Sequence, residues 1–203
     1  MTGATLFTGI GGWDRAMQLA GVDVRWGCEI GKFQRKVLAR RFPALEVHED
    51  VRTIHGADDC PREHERTYDA RSDRAGTSGE REQVVPVCPN CVPPIDILAA
   101  SPPCQDLSVA GLRAGLAGAR SGLFFDFARL AGELRPTWIL MEQVPGLLSS
   151  NGGRDFGAVL GALDELGYGL SWRVLDARHG PQYAAYGNSV VVNVCFWIAT
   201  RLL

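Results

Sequence analysis

Ile95-Asp96-Ile97-Leu98-Ala99-Ala100-Ser101-Pro102-Pro103-Cys104-Gln105 is the stretch on which the fold turns. Apart from Asp96, the run from Ile95 to Ala100 is apolar and does not alternate with polar residues. A strand of that kind is buried on both faces, as a parallel sheet between two helix layers requires. The paired prolines then end the strand and fix the direction of the chain. A cysteine held next to them has little conformational freedom and opens to whatever cleft lies at the strand's carboxyl end.

Working outward, the same alternation of strand and helix recurs. Downstream, apolar periodicity predicts a helix from about Leu123 to Leu134, a strand Trp138 to Met141 and a helix from about Asp155 to Leu166. Tyr168 to Leu175 reads as a further strand. Val190 to Leu202 reads as a terminal helix, with a strand as rival because of its β-branched start. Upstream, Ala4 to Thr8 is a strand that stops at Gly9-Ile10-Gly11-Gly12, and Trp13, Met17, Leu19 and Ala20 form a helical stripe ended by Gly21. Val22 to Gly27 is a strand finishing on Cys28-Glu29. Phe33, Val37 and Leu38 form the apolar face of a helix whose other face carries Lys32, Arg35, Lys36, Arg40 and Arg41, with Pro43 as its stop. Leu45 to Val47 is a short strand before His48-Glu49-Asp50.

This pattern predicts a single α/β domain over residues 1–203, with a mostly parallel sheet and helices on both faces. Ligands of such sheets bind at the carboxyl ends of the strands. The glycine turn, Glu29, Asp50, Cys104 and Glu142 all follow predicted strands at that edge. The stretch from about 56 to 92 departs from the pattern. Between Asp58 and Glu82 it is dense in Asp, Glu, Arg and Ser, and it reads as an exposed polar insertion.

Composition bounds the function. The chain has 203 residues, 46% hydrophobic and 22% charged, with a formal net charge of -2. Bulk positive charge is therefore not what would hold a nucleic acid, and any such contact must be local. No apolar run approaches the roughly 20 residues that span a bilayer, and no leader pattern opens the sequence, so a cytoplasmic protein without membrane contact is expected. In that compartment six cysteines read as thiols or metal ligands before disulfides. Cys60, His64, Cys88 and Cys91 offer a Cys-x3-His pair and a Cys-x2-Cys pair, a donor set suited to structural zinc that would order the insertion. A loop with unligated thiols is the alternative.

Two segments carry chemistry. Leu6-Phe7-Thr8-Gly9-Ile10-Gly11-Gly12 places glycines where backbone approaches a ligand or takes unusual dihedrals. Glu29 then stands where an acidic residue accepts hydrogen bonds from a ribose. Neither Lys nor Ser/Thr follows the glycines, which excludes the loop that binds nucleoside triphosphates. Cys104 suits attack on an electron-poor ring carbon if its thiolate is favoured locally, although a small cysteine packed beneath its loop has the same sequence. Trp138-Ile139-Leu140-Met141-Glu142-Gln143-Val144-Pro145-Gly146 repeats the design of strand, polar group and stiff turn. Opposite Cys104, Glu142 would hydrogen-bond a pyrimidine ring nitrogen and its exocyclic amine.

Taken in order, these segments resemble the DNA (cytosine-5)-methyltransferase family. The likeness rests on Phe7 to Gly12, Glu29, Asp50-Val51, Pro102-Pro103-Cys104-Gln105 with Ser108 to Gly111, Arg120 to Phe124, Glu142-Gln143-Val144, and Tyr186-Gly187-Asn188-Ser189-Val190. The resemblance implies a Rossmann-like S-adenosylmethionine-dependent fold, with Cys104 and Glu142 catalytic. It further implies that Phe7, Gly9, Ile10, Gly11, Gly12, Glu29, Ile30, Asp50, Val51, Pro102, Leu123, Asn188, Ser189 and Val190 line the cofactor site. The substrate would be a cytosine flipped out of DNA, in the setting of restriction-modification. Gln143 departs from the family's asparagine. After Leu175 to Gln182 the sequence passes through Tyr183-Ala184-Ala185 straight to the last motif, so the target-recognition domain is expected to be absent and a second polypeptide to supply it. A cofactor-binding subunit of weak or no activity is the alternative reading.

Overall fold

The computed structural model describes residues 1–57, 88–103 and 123–174. Among these residues the main sheet has five strands: β1 (Thr2–Leu6), β2 (Asp23–Cys28), β3 (Glu46–His48), then β6 (Ile97–Ala100) and β7 (Trp138–Met141). They lie in the order β3-β2-β1-β6-β7, and every pairing is parallel. Two further strands, β4 (His55–Gly56) and β5 (Cys91–Val92), pair in parallel with each other. The helices are α1 (Gly12–Leu19), α2 (Lys32–Arg41), α3 (Leu123–Leu134) and α4 (Arg154–Glu165).

Alternation along β6 builds the layers. Ile97 and Ala99 face α1, where they join Trp13, Ala16, Met17 and Val22. Leu98 and Ala100 face the other way, into a larger core with Phe124, Phe127 and Leu130 of α3 and Val159 and Leu163 of α4. Burial on both faces is what the unbroken apolar run required. Asp96 is outside the strand and accepts hydrogen bonds from the Thr2 amide at 2.7 Å and the Thr2 hydroxyl at 3.2 Å.

In β2 the register against β1 slips between Gly3 and Ala4, leaving Arg25 unmatched. The extra residue reverses the alternation, so Val24 packs on the α1 side while Trp26 and Cys28 enter the larger core. Arg25 itself points outward and pairs with Asp23 at 2.7 Å.

Several expectations need correction. Residues 168–174 form no strand; Trp172 and Val174 are exposed, and the Tyr168 hydroxyl instead donates to the Pro136 carbonyl at 2.8 Å. Phe33 is 71% exposed, so α2 is anchored by Leu38 and not by the wider face expected. The flanks of the polar insertion belong to the fold, since Cys88, Cys91 and Val92 are buried. Residues 58–87 and the expected terminal helix Val190 to Leu202 lie outside the described residues. Among those described, no helix is long and apolar enough to cross a membrane.

A polar cluster is sealed between β1 and α1. Thr5 donates to Asp14 Oδ1 at 2.8 Å and is 2.8 Å from the Thr8 hydroxyl. Asp14 is fully buried and its Oδ2 has no hydrogen-bond partner among the described residues. Desolvation raises its pKa from 3.8 to about 6, against the lowering effect of the Thr5 hydrogen bond. Because the folded value lies above the unfolded one, the native state holds this proton more tightly, and stability falls as pH rises from about 4 through about 6. A rise from 3.8 to about 6, at ~1.4 kcal/mol per pH unit, sets the scale at ~3 kcal/mol. Asp14→Asn keeps an acceptor for Thr5 without the charge, so chemical denaturation across this range should show a flatter profile and a variant more stable than the parent at pH 7.

The glycine turn is shaped by packing as well as by dihedrals. Gly11 caps α1 at φ 92°, and a Cβ there would lie 2.3 Å from Phe42 Cε2. Gly11→Ala therefore combines a left-handed backbone with overpacking and is expected to lower unfolding free energy by about 2–5 kcal/mol, measured as a lower urea midpoint.

Candidate active site

Parallel strands bring their carboxyl ends to one edge, and the order of this sheet places a switch point between β1 and β6. From β1 the chain winds through β2 and β3 to one side, then returns to lay β6 and β7 on the other. The loops that leave β1 and β6 therefore diverge, and the crevice between them is where an α/β sheet takes its ligand.

On the β1 side, Phe7 and Gly9 have φ of 54° and 58°. The Thr8 amide donates to the Cys28 carbonyl at 3.1 Å, which carries the turn over the end of β2. Glu29 fastens it. One carboxylate oxygen accepts from the Gly9 amide at 2.8 Å and the other from the Gly31 amide at 2.7 Å. Each oxygen keeps a second lone pair, so the clamp leaves acceptor capacity for a diol. Arg35 braces the same corner, donating to the carbonyls of Glu29 at 3.0 Å and Ile30 at 2.6 Å and pairing with Glu49 at 2.9 Å. Its sequence position showed only a polar helix face.

Further along the edge, Asp50 is engaged by Arg52, whose Nε donates at 2.9 Å and whose Nη2 donates at 2.5 Å. That hydrogen bonding holds the Asp50 carboxyl below its ordinary range. Val51 is buried in the core beneath the rim, while Ile30 stands exposed above it. Leu123, the first residue of α3, packs half-buried against the larger core.

On the β6 side, Ser101, Pro102 and Pro103 leave the strand, and Pro102 is buried. β7 delivers Glu142 beside them, because Ala100 pairs with Met141 and the Glu142 amide donates to the Ala100 carbonyl at 3.0 Å. Gln143 pins the same turn through Nε2 to the Pro102 carbonyl at 3.1 Å. The longer amide thus ties β7's end to the start of the turn that leaves β6. Glu142 is exposed at the end of β7, yet the protein around its carboxylate desolvates it and raises its pKa, with the nearby Ser101 hydroxyl acting in the opposite direction. Ser101 in turn accepts from the Trp13 indole Nε1 at 3.1 Å. No local pattern announced that chain, since Trp13 and Ser101 are 88 positions apart.

The glycine loop, Glu29, Asp50 and Glu142 thus share one rim, as expected. Cys104 follows directly on Pro103 but lies outside the described residues, as do Asn188, Ser189 and Val190. Cys28 is a core thiol, pushed up to about 12 chiefly by burial and unsuited to act as a nucleophile. Cys88 and Cys91 are buried on one turn, the Cys91 amide donating to the Cys88 carbonyl at 3.1 Å. Cys60 and His64 lie outside the described residues, among which no three His, Cys, Asp or Glu side chains group as metal ligands, so the zinc expectation gains no support.

A family model for C-5 cytosine-specific DNA methylases matches residues 1–180. The type II methyltransferase M2.BsuMI of Bacillus subtilis (strain 168) is 30% identical over 178 residues, covering 86% of this chain and 37% of that protein. M.Bsp6I, a type II methyltransferase of Bacillus sp. (strain RFL6), is 28% identical over 177 residues, covering 86% and 46%. Among solved structures, a protein described as a DNA modification methyltransferase encoded within a prophage (E. coli) matches with a TM-score of 0.53 at 22% identity, covering 81% of this chain and 38% of that one. That likeness speaks to the fold, which is the Rossmann-like α/β arrangement of methyltransferases. The chain spans less than half the length of these relatives. With a match that takes in the glycine turn, Glu29, the Pro-Pro-Cys-Gln run and Glu142, the chain belongs to the C-5 cytosine-specific DNA methylase family.

Proposed function

We propose that this chain transfers a methyl group from S-adenosylmethionine to carbon 5 of cytosine in DNA, through a covalent adduct on Cys104. The observation that carries this reading is the placement of Glu142 beside the Ser101-Pro102-Pro103 turn that leads directly into Cys104. In this reading the two groups that act on one ring follow the ends of two adjacent strands, Glu142 after β7 and Cys104 after the turn that leaves β6.

The rim also fits the cofactor. The turn at Gly9 to Gly12 brings backbone close to the crevice, and Glu29 retains lone pairs for the hydroxyls of a ribose. In this reading Phe7, Gly9, Ile10, Gly11, Gly12, Ile30, Asp50, Val51, Pro102 and Leu123 surround it, with Asn188, Ser189 and Val190 closing the pocket. When bound there, S-adenosylmethionine supplies an electrophilic methyl group.

The chain's own residues would work as follows. The Cys104 thiolate forms a bond to carbon 6 of a flipped cytosine, and the displaced electron pair moves through the ring to make carbon 5 nucleophilic. Glu142 gives a proton to ring nitrogen 3 and its other oxygen accepts from the exocyclic amine, which neutralises charge that builds as sulfur adds. Its raised pKa favours the protonated form needed for that donation. After methylation, water takes the carbon-5 proton, its electron pair re-forms the carbon 5–carbon 6 double bond as the carbon–sulfur bond breaks, and Glu142 takes back the proton of ring nitrogen 3, which restores the aromatic ring and the thiolate.

Duplex DNA of mixed sequence containing 5-fluorocytosine tests this. Fluorine in place of the carbon-5 hydrogen blocks the elimination, so a stable adduct should form with S-adenosylmethionine and vanish in Cys104→Ser. Cofactor binding without any adduct would contradict the stand-alone enzyme and support a cofactor-binding subunit that works with a second, DNA-recognising polypeptide.

A further inference from the structure

We propose that Asp14 is a positioning residue for the cofactor turn, its proton setting, through Thr5, which acceptor the Thr8 hydroxyl holds. The inference rests on the cofactor pocket proposed above.

Three contacts share two hydroxyl protons. Thr5 Oγ1 lies 2.8 Å from Asp14 Oδ1 and 2.8 Å from Thr8 Oγ1, and Thr8 Oγ1 lies 3.2 Å from the Thr5 carbonyl oxygen. A threonine hydroxyl brings one proton and an ionised carboxylate none. With Asp14 ionised, Thr5 gives its proton to Oδ1, and the single Thr8 proton faces both Thr5 Oγ1 and the Thr5 carbonyl. With Asp14 protonated, the acid supplies the third proton. Asp14 then donates to Thr5, Thr5 to Thr8, and Thr8 to the carbonyl of the strand it leaves, so all three contacts are hydrogen bonds. Oδ2 has no partner among the described residues, and an unpaired buried oxygen costs less on a neutral acid than on a carboxylate. Burial, which pushes the Asp14 carboxyl up to about 6, favours the same form.

The cluster is walled by three elements and the turn. Asp14 is the third residue of α1, Thr5 belongs to β1, and Thr8 lies in the turn. Gly27 of β2 lies against all three, since a Cβ there would be 2.9 Å from Thr5 Oγ1, 3.2 Å from Thr8 Oγ1 and 3.7 Å from Asp14 Oδ1. The other titratable groups of these elements are directed elsewhere. Arg15 is exposed, Asp23 and Arg25 pair with each other at the outer end of β2, and the Cys28 thiol enters the larger core. Glu29, just past β2, holds the Gly9 and Gly31 amides. Thr8 itself stands between Phe7 and Gly9, both in the left-handed region. Protonated Asp14 therefore ties the turn to β1 by one more hydrogen bond and leaves it preorganised for the cofactor.

Nuclear magnetic resonance of the full chain, carbon-13 labelled in aspartate and nitrogen-15 labelled in the backbone, reads this without turnover. As pH rises through the Asp14 midpoint, the Thr8 and Gly9 amide signals should move with that same midpoint. They should stay still in Asp14→Asn, and also in Thr5→Val, where Asp14 titrates but the relay is cut. The demethylated product S-adenosylhomocysteine is a neutral thioether and brings no sulfonium charge to the turn. Because the protonated form binds more tightly, its presence should raise the Asp14 midpoint by about half to one pH unit, equivalent to an affinity about 3- to 10-fold weaker above that midpoint. Thr8 and Gly9 signals that ignore the Asp14 titration would overturn the proposal, as would a folded Thr5→Val protein whose turn still follows it, or a bound midpoint that does not rise. If the cofactor never binds, the pocket reading falls while the amide titration of the free protein still decides whether Asp14 governs the turn.

Discussion

Five strands that all run the same way have their carboxyl ends on one edge, and everything else at the site depends on that constraint. Had β6 run against β1, its buried apolar run could still fill the core, but the Pro-Pro-Cys turn would emerge on the far side from the glycine turn. Parallel pairing of Gly3 through Leu6 with Ile97 through Ala100 holds the two turns side by side. The hydrophobic layers enforce this arrangement. Leu98 and Ala100 serve one face while Ile97 and Ala99 serve the other, and neither a flip nor a one-residue slip of β6 would keep both covered.

On this scaffold the polar groups of the rim are mostly held by one another. Glu29 joins two backbone amides, Asp50 is gripped by Arg52, and Ser101 accepts from the Trp13 indole. Such bonds between charged and backbone groups rigidify a site before any ligand arrives, and preorganisation of that kind is what positions reacting atoms. Asp14 is the exception, with one buried oxygen that has no partner among the described residues. Its unfavourable burial sits directly under the glycine turn, hydrogen-bonded to Thr5, which in turn meets Thr8 of that turn.

The parts legible in the sequence were those whose signal is local. Helix α3 and strand β7 have the bounds their apolar periods predicted, Leu123 to Leu134 and Trp138 to Met141, because each is flanked by residues that break the period. β1 starts two residues earlier than its apolar run, since Thr2 and Gly3 are held by backbone pairing to Asp23 and Val24. Residues 168–174 of the expected strand at 168–175 form none: Trp172 and Val174 are exposed, and Tyr168 is tied by its hydroxyl to the Pro136 carbonyl instead. At the site, Glu29 and Glu142 stood out as carboxylates just past strands, although the clamp that Glu29 makes on the Gly9 and Gly31 amides was not legible. Trp13, Ser101, Arg35 and Asp14 did not stand out. Their roles come from contacts across the sheet or around its corner, which spacing along the chain does not encode.

The central claim is that the edge clamped by Glu29 is the cofactor pocket of a methyltransferase. Isothermal titration calorimetry of the protein with S-adenosylmethionine, repeated on Glu29→Ala with its melting curve recorded alongside, tests it most directly. Losing hydrogen bonds to a charged group is worth roughly 1.5–3 kcal/mol, so the account predicts one-to-one binding by the parent and a weakening on the order of 10- to 100-fold in the folded variant. Absence of binding by the parent, or equal affinity in a folded Glu29→Ala protein, would contradict it.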